Sequence, residues 1–221
     1  MNIEDAPRGS SKSTKPHVFF ERGLDNDLEE LAAQLQTRYQ KIQDAELIGV
    51  TPLLTNGEHF IEAGSVSTTK WRQYNVFQFH IPGIHSLFVA IREMVIEACE
   101  YYGVDFDEQQ YMVQGWFNIN QKSTGLLSWH DHGTEGAPNF HGYYCVKAEP
   151  SMTLYSVFGE RVENLNRDNV AILSEMGHPH TQTAWEWEGP RITVAYDIVP
   201  LADLISNKHK QEFEQHWIPL A

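Results

Sequence analysis

Residues 189–199 read Gly189-Pro190-Arg191-Ile192-Thr193-Val194-Ala195-Tyr196-Asp197-Ile198-Val199. Apolar side chains recur every second residue at Ile192, Val194, Tyr196 and Ile198, the period of a β-strand that buries one face. Arg191 and Thr193 share the other face. A guanidinium in an otherwise apolar strand is costly unless an anion neutralises it. Its fork, with a hydroxyl two residues on, is well shaped to hold a carboxylate. A protein acid, Glu186 or Glu188, would serve as well as a ligand, and the strand alone leaves both partners open.

Working outward, the same alternation marks Tyr111 to Ile119, Phe140 to Lys147, Met152 to Val157 and Val170 to Ser174, with turn residues between them. Upstream the period changes to helical. Leu28, Leu31, Leu35, Tyr39 and Ile42 mark one helix, with Asp25 and Asp27 as N-terminal caps. Ile84, Leu87, Phe88, Ile91, Val95 and Ala98 mark a second, with Ser86 as its cap and Gly103 as its stop. Tyr74 to Phe79 reads as a short strand, and a polar helix is expected from about Ala202 to Trp217. Many short strands behind a helical layer suggest a β-sandwich or jelly roll buttressed by helices. Residues 1–16 (MNIEDAPRGSSKSTKP) read as a disordered leader, and residues 17–221 as one domain. Within it, 17–105 form the helical buttress and 106–200 the strand-rich region.

Bulk properties narrow the function classes. A chain of 221 residues can bury one substantial core. The net charge of −14 repels phosphate backbones and anionic lipid, so neither nucleic acid nor a membrane is expected as a partner. Cys99 and Cys145 lie in helical and strand patterns and are expected as buried free thiols. The sequence has no Cys-x-x-Cys, so zinc ribbons and thioredoxin chemistry are excluded. No Gly-x-Ser-x-Gly occurs to suggest a hydrolase nucleophile. With no signal-peptide core and no bilayer-length apolar run, the cytoplasm is the expected location.

The chemistry gathers in two short stretches. Leu127-Ser128-Trp129-His130-Asp131-His132-Gly133 places two imidazoles two residues apart. In extended chain both point to the same side while Asp131 points away, which makes half of a metal site. Gly177-His178-Pro179-His180 follows the strand Val170 to Ser174 and offers a third nitrogen at His180. Imidazole suits zinc, copper, iron and nickel, so ligand type alone does not name the metal.

These residues carry a family resemblance. Trp116, Asn118, Asn120, His130-x-His132, the run FHGYYCVKAEPS and the stretch HPH…PRITVAYDI resemble iron(II)/2-oxoglutarate-dependent oxygenases over about residues 111–199. The most specific element is the spacing of eleven residues from His180 to Arg191, followed by Thr193. The His-x-His is shared with cupins. The resemblance implies a double-stranded β-helix, mainly β with flanking helices. It implies iron(II) held by His180 with His130 and His132, and the far carboxylate of 2-oxoglutarate held by Arg191 with help from Thr193. One departure stands out, because most of that superfamily has His-x-Asp or His-x-Glu where this chain has His132. A three-histidine face, ligation by Asp131 from an irregular turn, or only two protein ligands are the alternatives, with the first favoured by the same-side geometry. A neutral three-histidine face leaves more positive charge on the metal.

The implied activity is oxidation of a small-molecule substrate by O2, with 2-oxoglutarate converted to succinate and CO2. Asn118 and, more weakly, Tyr155 are candidates to contact the co-substrate, and Trp116, Asn120, Trp129 and Trp185 to line the substrate pocket, with Trp187 a further aromatic that could line it. His178 is expected outside the ligand set and His141 on a strand face. Two other readings remain: a cupin-type three-histidine enzyme without 2-oxoglutarate, with Glu135 loosely fitting its pattern, and a non-catalytic jelly roll. The sequence names neither the substrate nor the oligomeric state.

Overall fold

The computed structural model describes residues 9, 14–47, 66–68, 74–122, 129–132, 139–206 and 216–221. Its strands are β1 (Phe20–Gly23), β2 (Val66–Ser67), β3 (Tyr111–Asn120), β4 (Phe140–Lys147), β5 (Met152–Val157), β6 (Glu160–Leu165), β7 (Val170–Glu175), β8 (His180–Gln182), β9 (Arg191–Pro200) and β10 (Ile218–Pro219). The helices are α1 (Leu28–Leu47), α2 (Pro82–Tyr102), α3 (Phe106–Gln109) and α4 (Leu201–Ile205). One sheet runs β1-β7-β4-β9-β3-β10, with β2 also on β3; the other runs β6-β5-β8. Every pairing within them is antiparallel. A single bridge between His130 and His180 extends the smaller sheet by one more segment. The protein is thus mainly β with flanking helices, a jelly roll of the double-stranded β-helix kind.

Alternation along the large sheet decides what goes where. Val113, Phe117 and Ile119 on β3, Ile192, Val194, Tyr196 and Ile198 on β9, Phe140 and Tyr144 on β4, and Leu173 on β7 join the buried cluster that also holds Leu31, Leu35, Leu87, Ile91, Met94 and Val95 of α1 and α2. Burying each such side chain is worth about 1.5–3 kcal/mol, so this helix-backed face fixes the register. A one-residue slip would turn the whole apolar set to the wrong side. The opposite parity then faces the interior between the two sheets. Asn118 is registered against Thr193 and Asn120 against Arg191, while His141 is registered against Asp197.

Local chemistry corrects three boundaries. Ser86 is not the cap of α2: Pro82 opens the helix behind Ile81, and the Ser86 hydroxyl donates back to the Pro82 carbonyl inside the first turn. Gly103 does end it, at φ 75°, with its N–H on the carbonyls of Cys99 and Glu100. Residues 74–79 form no strand. Asn75 accepts from the N–H groups of Phe77 and Gly115 and donates to the carbonyls of Val113 and His216, and this winds Val76–Gln78 into a 3-10 turn. Of the expected C-terminal helix, the described part is α4, with its C-cap at Ser206. Residues 207–215 lie outside the described residues, and Trp217 leads into β10, which pairs with Met112 and Val113. Of the leader, Gly9 and 14–16 are described: Lys15 donates to the Tyr101 carbonyl, and Tyr101 donates its hydroxyl to Pro16 O at 3.1 Å. Cys99 and Cys145 are buried free thiols. No helix among the described residues is long and apolar enough to cross a membrane.

Candidate metal and co-substrate site

Four histidines from three segments meet between the sheets: His130 and His132 from one stretch, His141 from β4 and His180 from β8. His130 is bridged to the first residue of β8, with backbone N–H to O distances of 3.1 and 2.8 Å between it and His180. Residues opposed across an antiparallel pair project to the same side, so the two rings come together with centroids 4.4 Å apart. His132 follows on the same side, 5.5 Å from the His130 ring and 5.1 Å from the His180 ring. One ring nitrogen from each of His130, His132 and His180 falls within 4.8 Å of the others. Asp131 is exposed, as strand alternation requires.

A second group shares His132. Asp197, from the middle of β9, takes His132 Nδ1 at 3.0 Å on one oxygen and His141 Nδ1 at 2.8 Å on the other. The His132 and His141 rings stack at 3.8 Å, and Trp116 lies nearly parallel to His132 at 5.7 Å. The Nε2 of His132 is buried with no hydrogen-bond partner among the described residues.

The electrostatics suit ligation by neutral imidazoles. His180 is held well below its ordinary pKa by burial, then by the His130, His141 and His132 rings around it. Burial, with the nearby His132, brings His141 down to about 4, although Asp197 pulls the other way. For Asp197 burial alone would raise the pKa, but His132 and His141 outweigh it and keep the carboxyl below the usual range. At neutral pH His141 and His180 are therefore unprotonated beside the Asp197 carboxylate, and an unprotonated ring is the form a divalent metal needs.

Arg191 opens β9 at 1% exposure. Its Nε donates to Ser151 Oγ at 3.2 Å and one terminal nitrogen donates to Gln182 Oε1 at 2.6 Å. The other terminal nitrogen, and the hydroxyl of Thr193 on the same face, have no partner among the described residues. No ion pair among the described residues involves Arg191; Glu186 and Glu188 are exposed. Gln182 stands two residues after His180 on β8, about 7 Å along the strand. The buried cation and the imidazoles therefore look into one interior. Tyr155 is registered against His180, with the two rings 5.5 Å apart.

The remaining sequence candidates are placed as follows. Trp116 is beside His132; Asn118 and Asn120 are half-buried on the interior face of β3. Trp129 is half-buried next to His130. Trp185 is buried, donating its indole N–H to Gly189 O at 2.8 Å, with the exposed Trp187 at 5.2 Å. His178 is buried beside His17 at 4.5 Å, outside the imidazole group. Glu135 lies outside the described residues. Sequence reasoning did not find Asp197, Gln182 or Ser151. Asp197 was within reach, since it has the parity of Arg191 and Thr193 and is an acid on an otherwise apolar strand.

No protein-family model and no curated protein sequence matches this chain. Solved structures do resemble it. It is similar to an apo non-heme monooxygenase, ThoJ (12% identity, TM-score 0.53, covering 92% of this chain and 76% of that one). It is similar to a prolyl-4-hydroxylase from Pseudomonas putida (7% identity, TM-score 0.51, 83% and 93% covered). A third is SnoN, a non-heme alpha-ketoglutarate-dependent epimerase from nogalamycin biosynthesis (10% identity, TM-score 0.50, 82% and 76% covered). At such identities the likeness is one of fold, and it agrees with the double-stranded β-helix described above.

Proposed function

We propose that this protein is an iron(II)/2-oxoglutarate-dependent dioxygenase that oxidises a C–H bond of a small molecule. The observation that carries the reading is the pairing of two unfulfilled sites in one interior. Three convergent imidazoles offer nitrogen to a metal, and a buried Arg191 with an unpartnered N–H beside an unpartnered Thr193 hydroxyl offers donors to a carboxylate. A dicarboxylate that also chelates metal satisfies both. His130, His132 and His180 would hold the iron; Arg191 and Thr193 would hold the far carboxylate of 2-oxoglutarate. Bound there, the metal and co-substrate would supply the oxidising power, with 2-oxoglutarate decarboxylated to succinate and CO2 as O2 is reduced.

The chain's own part is position and exclusion of water. Ser151 and Gln182 fix the Arg191 fork so that one edge stays free. Tyr155, opposite His180, and Asn118, opposite Thr193, are proposed to contact the co-substrate. Trp116, Asn120, Trp129 and Trp185 are proposed for the substrate side. The alternative group His132, His141 and Asp197 has two histidines and a carboxylate, a set that suits iron. It shares His132 with the favoured group, but both Asp197 oxygens are already taken up by the Nδ1 atoms of His132 and His141.

The proposal treats residues 17–221 as one oxygenase domain, with 17–105 as buttress. A reducing, cytoplasmic setting agrees with the two free thiols. A net charge of −14 favours a neutral or cationic small molecule over nucleic acid or anionic lipid. The test needs no substrate identity. Purified chain with iron(II), ascorbate and 2-oxoglutarate should release succinate slowly, and Arg191→Ala and His180→Ala should not. Equal background release from all three would overturn the proposal, and O2 uptake without 2-oxoglutarate would favour the cupin reading.

A further inference from the structure

The carboxylate that a His-x-acid motif would put on the metal is missing at His132, yet an acid stands directly behind that ring. We infer that Asp197 is a positioning residue for the metal, holding His132 by Nδ1 so that Nε2 faces the centre and lending it negative charge through the ring. The inference rests on the reading that His130, His132 and His180 bind iron.

Three observations carry it. First, each Asp197 oxygen takes one imidazole Nδ1, from His132 at 3.0 Å and from His141 at 2.8 Å. An anionic carboxylate only accepts, so both Nδ1 atoms carry hydrogen and both rings present Nε2 as the lone-pair nitrogen. Second, His132 Nε2 is the atom left buried and unpartnered, on the ring that also belongs to the His130 and His180 group. Third, the ring has little freedom to turn: Trp116 lies along it at 5.7 Å and His141 stacks on it at 3.8 Å. Among the described residues, one backbone bridge holds the stretch before His132, so a partner from a rigid element fixes the direction of its ring. Asp197 supplies it from β9, paired on both sides by β3 and β4. His141 in turn keeps the second carboxylate oxygen satisfied. A carboxylate behind a metal-bound imidazole fixes its tautomer and raises its basicity, and loss of such a partner typically weakens metal binding 10–100-fold.

The test uses cobalt(II) as the metal, with affinity read by chelator competition and geometry by the ligand-field absorption of the full chain. Asp197→Asn should weaken cobalt(II) about 10–100-fold and alter the absorption. In a His132→Ala background the same substitution should change nothing further, because Asp197 acts through that ring. Wild-type affinity and spectrum in folded Asp197→Asn would overturn the inference. So would an undiminished effect of Asp197→Asn in the His132→Ala background, which would make Asp197 a ligand itself. If Asp197→Asn does not fold, ¹⁵N-histidine spectra of the zinc(II)-loaded wild type decide: His132 bound through Nε2 with Nδ1 protonated supports the inference, and binding through Nδ1 contradicts it. Failure of the underlying reading looks different, since His130→Ala and His180→Ala would then leave cobalt(II) affinity unchanged.

Discussion

His130 and His180 donate their backbone N–H groups to each other's carbonyl oxygens, at 3.1 and 2.8 Å, across a bridge of a single residue pair. Their positions are 50 apart in the sequence, and this pairing brings their rings to 4.4 Å. The proposed metal site is thus made by the sheet, and the residues proposed as its ligands should be separable by substitution. His130→Ala and His180→Ala should each weaken iron(II) or cobalt(II) by more than about 100-fold, beyond what loss of an outer partner does. Asp131→Ala, at an exposed position facing away, should bind within a few-fold of wild type. Calorimetric titration with metal checks all three.

Arg191 makes two hydrogen bonds to neutral partners and keeps one terminal nitrogen unpartnered among the described residues. Charged hydrogen bonds are worth about 1.5–3 kcal/mol each, so Arg191→Ala should weaken 2-oxoglutarate on the metal-loaded chain by about 100-fold or more. Arg191→Lys keeps the charge without the fork, and should fall between. Thr193→Val should give a smaller loss. Affinity for 2-oxoglutarate at fixed metal, measured without O2, distinguishes the four proteins.

Gly142 is placed where β4 passes under Tyr196. A Cβ there would sit 2.2 Å from Ile172 O and 2.3 Å from the Tyr196 ring, which is itself pinned by its hydroxyl on Ile172 O at 2.8 Å. Neither neighbour can yield cheaply, one being backbone and the other an anchored ring. Gly142→Ala should destabilise by about 1–3 kcal/mol through overpacking. A lower urea midpoint with an unchanged slope would show it.

Much of this architecture was legible because the large sheet has two unlike faces. Ile192, Val194, Tyr196 and Ile198 announced the helix-backed side, and Arg191 and Thr193 the interior. His130 and His132 were readable by the same parity. Elements defined by partners rather than by pattern were not. β8 is three residues long, and β6 (Glu160–Leu165) is mostly exposed, so neither shows a buried alternation. Asn75 turns a strand-like run into a 3-10 turn through contacts with β3 and His216, which no local rule reports. Asp197 was readable in parity, but its role needed His141 and His132 brought to it by other segments.

His17 packs against Phe19, His178 and Tyr155, with both ring nitrogens buried and without a hydrogen-bond partner among the described residues. Burial, and then the neighbouring His178, bring its pKa from 6.5 down to about 4. The folded state therefore prefers the neutral ring. Its stabilisation is present in full above pH 6.5 and is lost as pH falls from 6.5 to about 4, because the unfolded chain takes up the proton first. The upper bound is about 3 kcal/mol, reduced by the partial exposure of the segment. His17→Phe keeps the ring contacts and should flatten part of the acid loss. Urea midpoints of metal-free protein at pH 7 and pH 4.5 measure it.

The most direct test of the central claim is anaerobic addition of iron(II) and then 2-oxoglutarate to the full chain, followed by visible absorption. A weak band from the iron–keto acid chelate should appear with wild type, be lost in His180→Ala, and require more 2-oxoglutarate in Arg191→Ala. A wild-type spectrum that shows no band at saturating 2-oxoglutarate, or the same band in His180→Ala, would contradict the account.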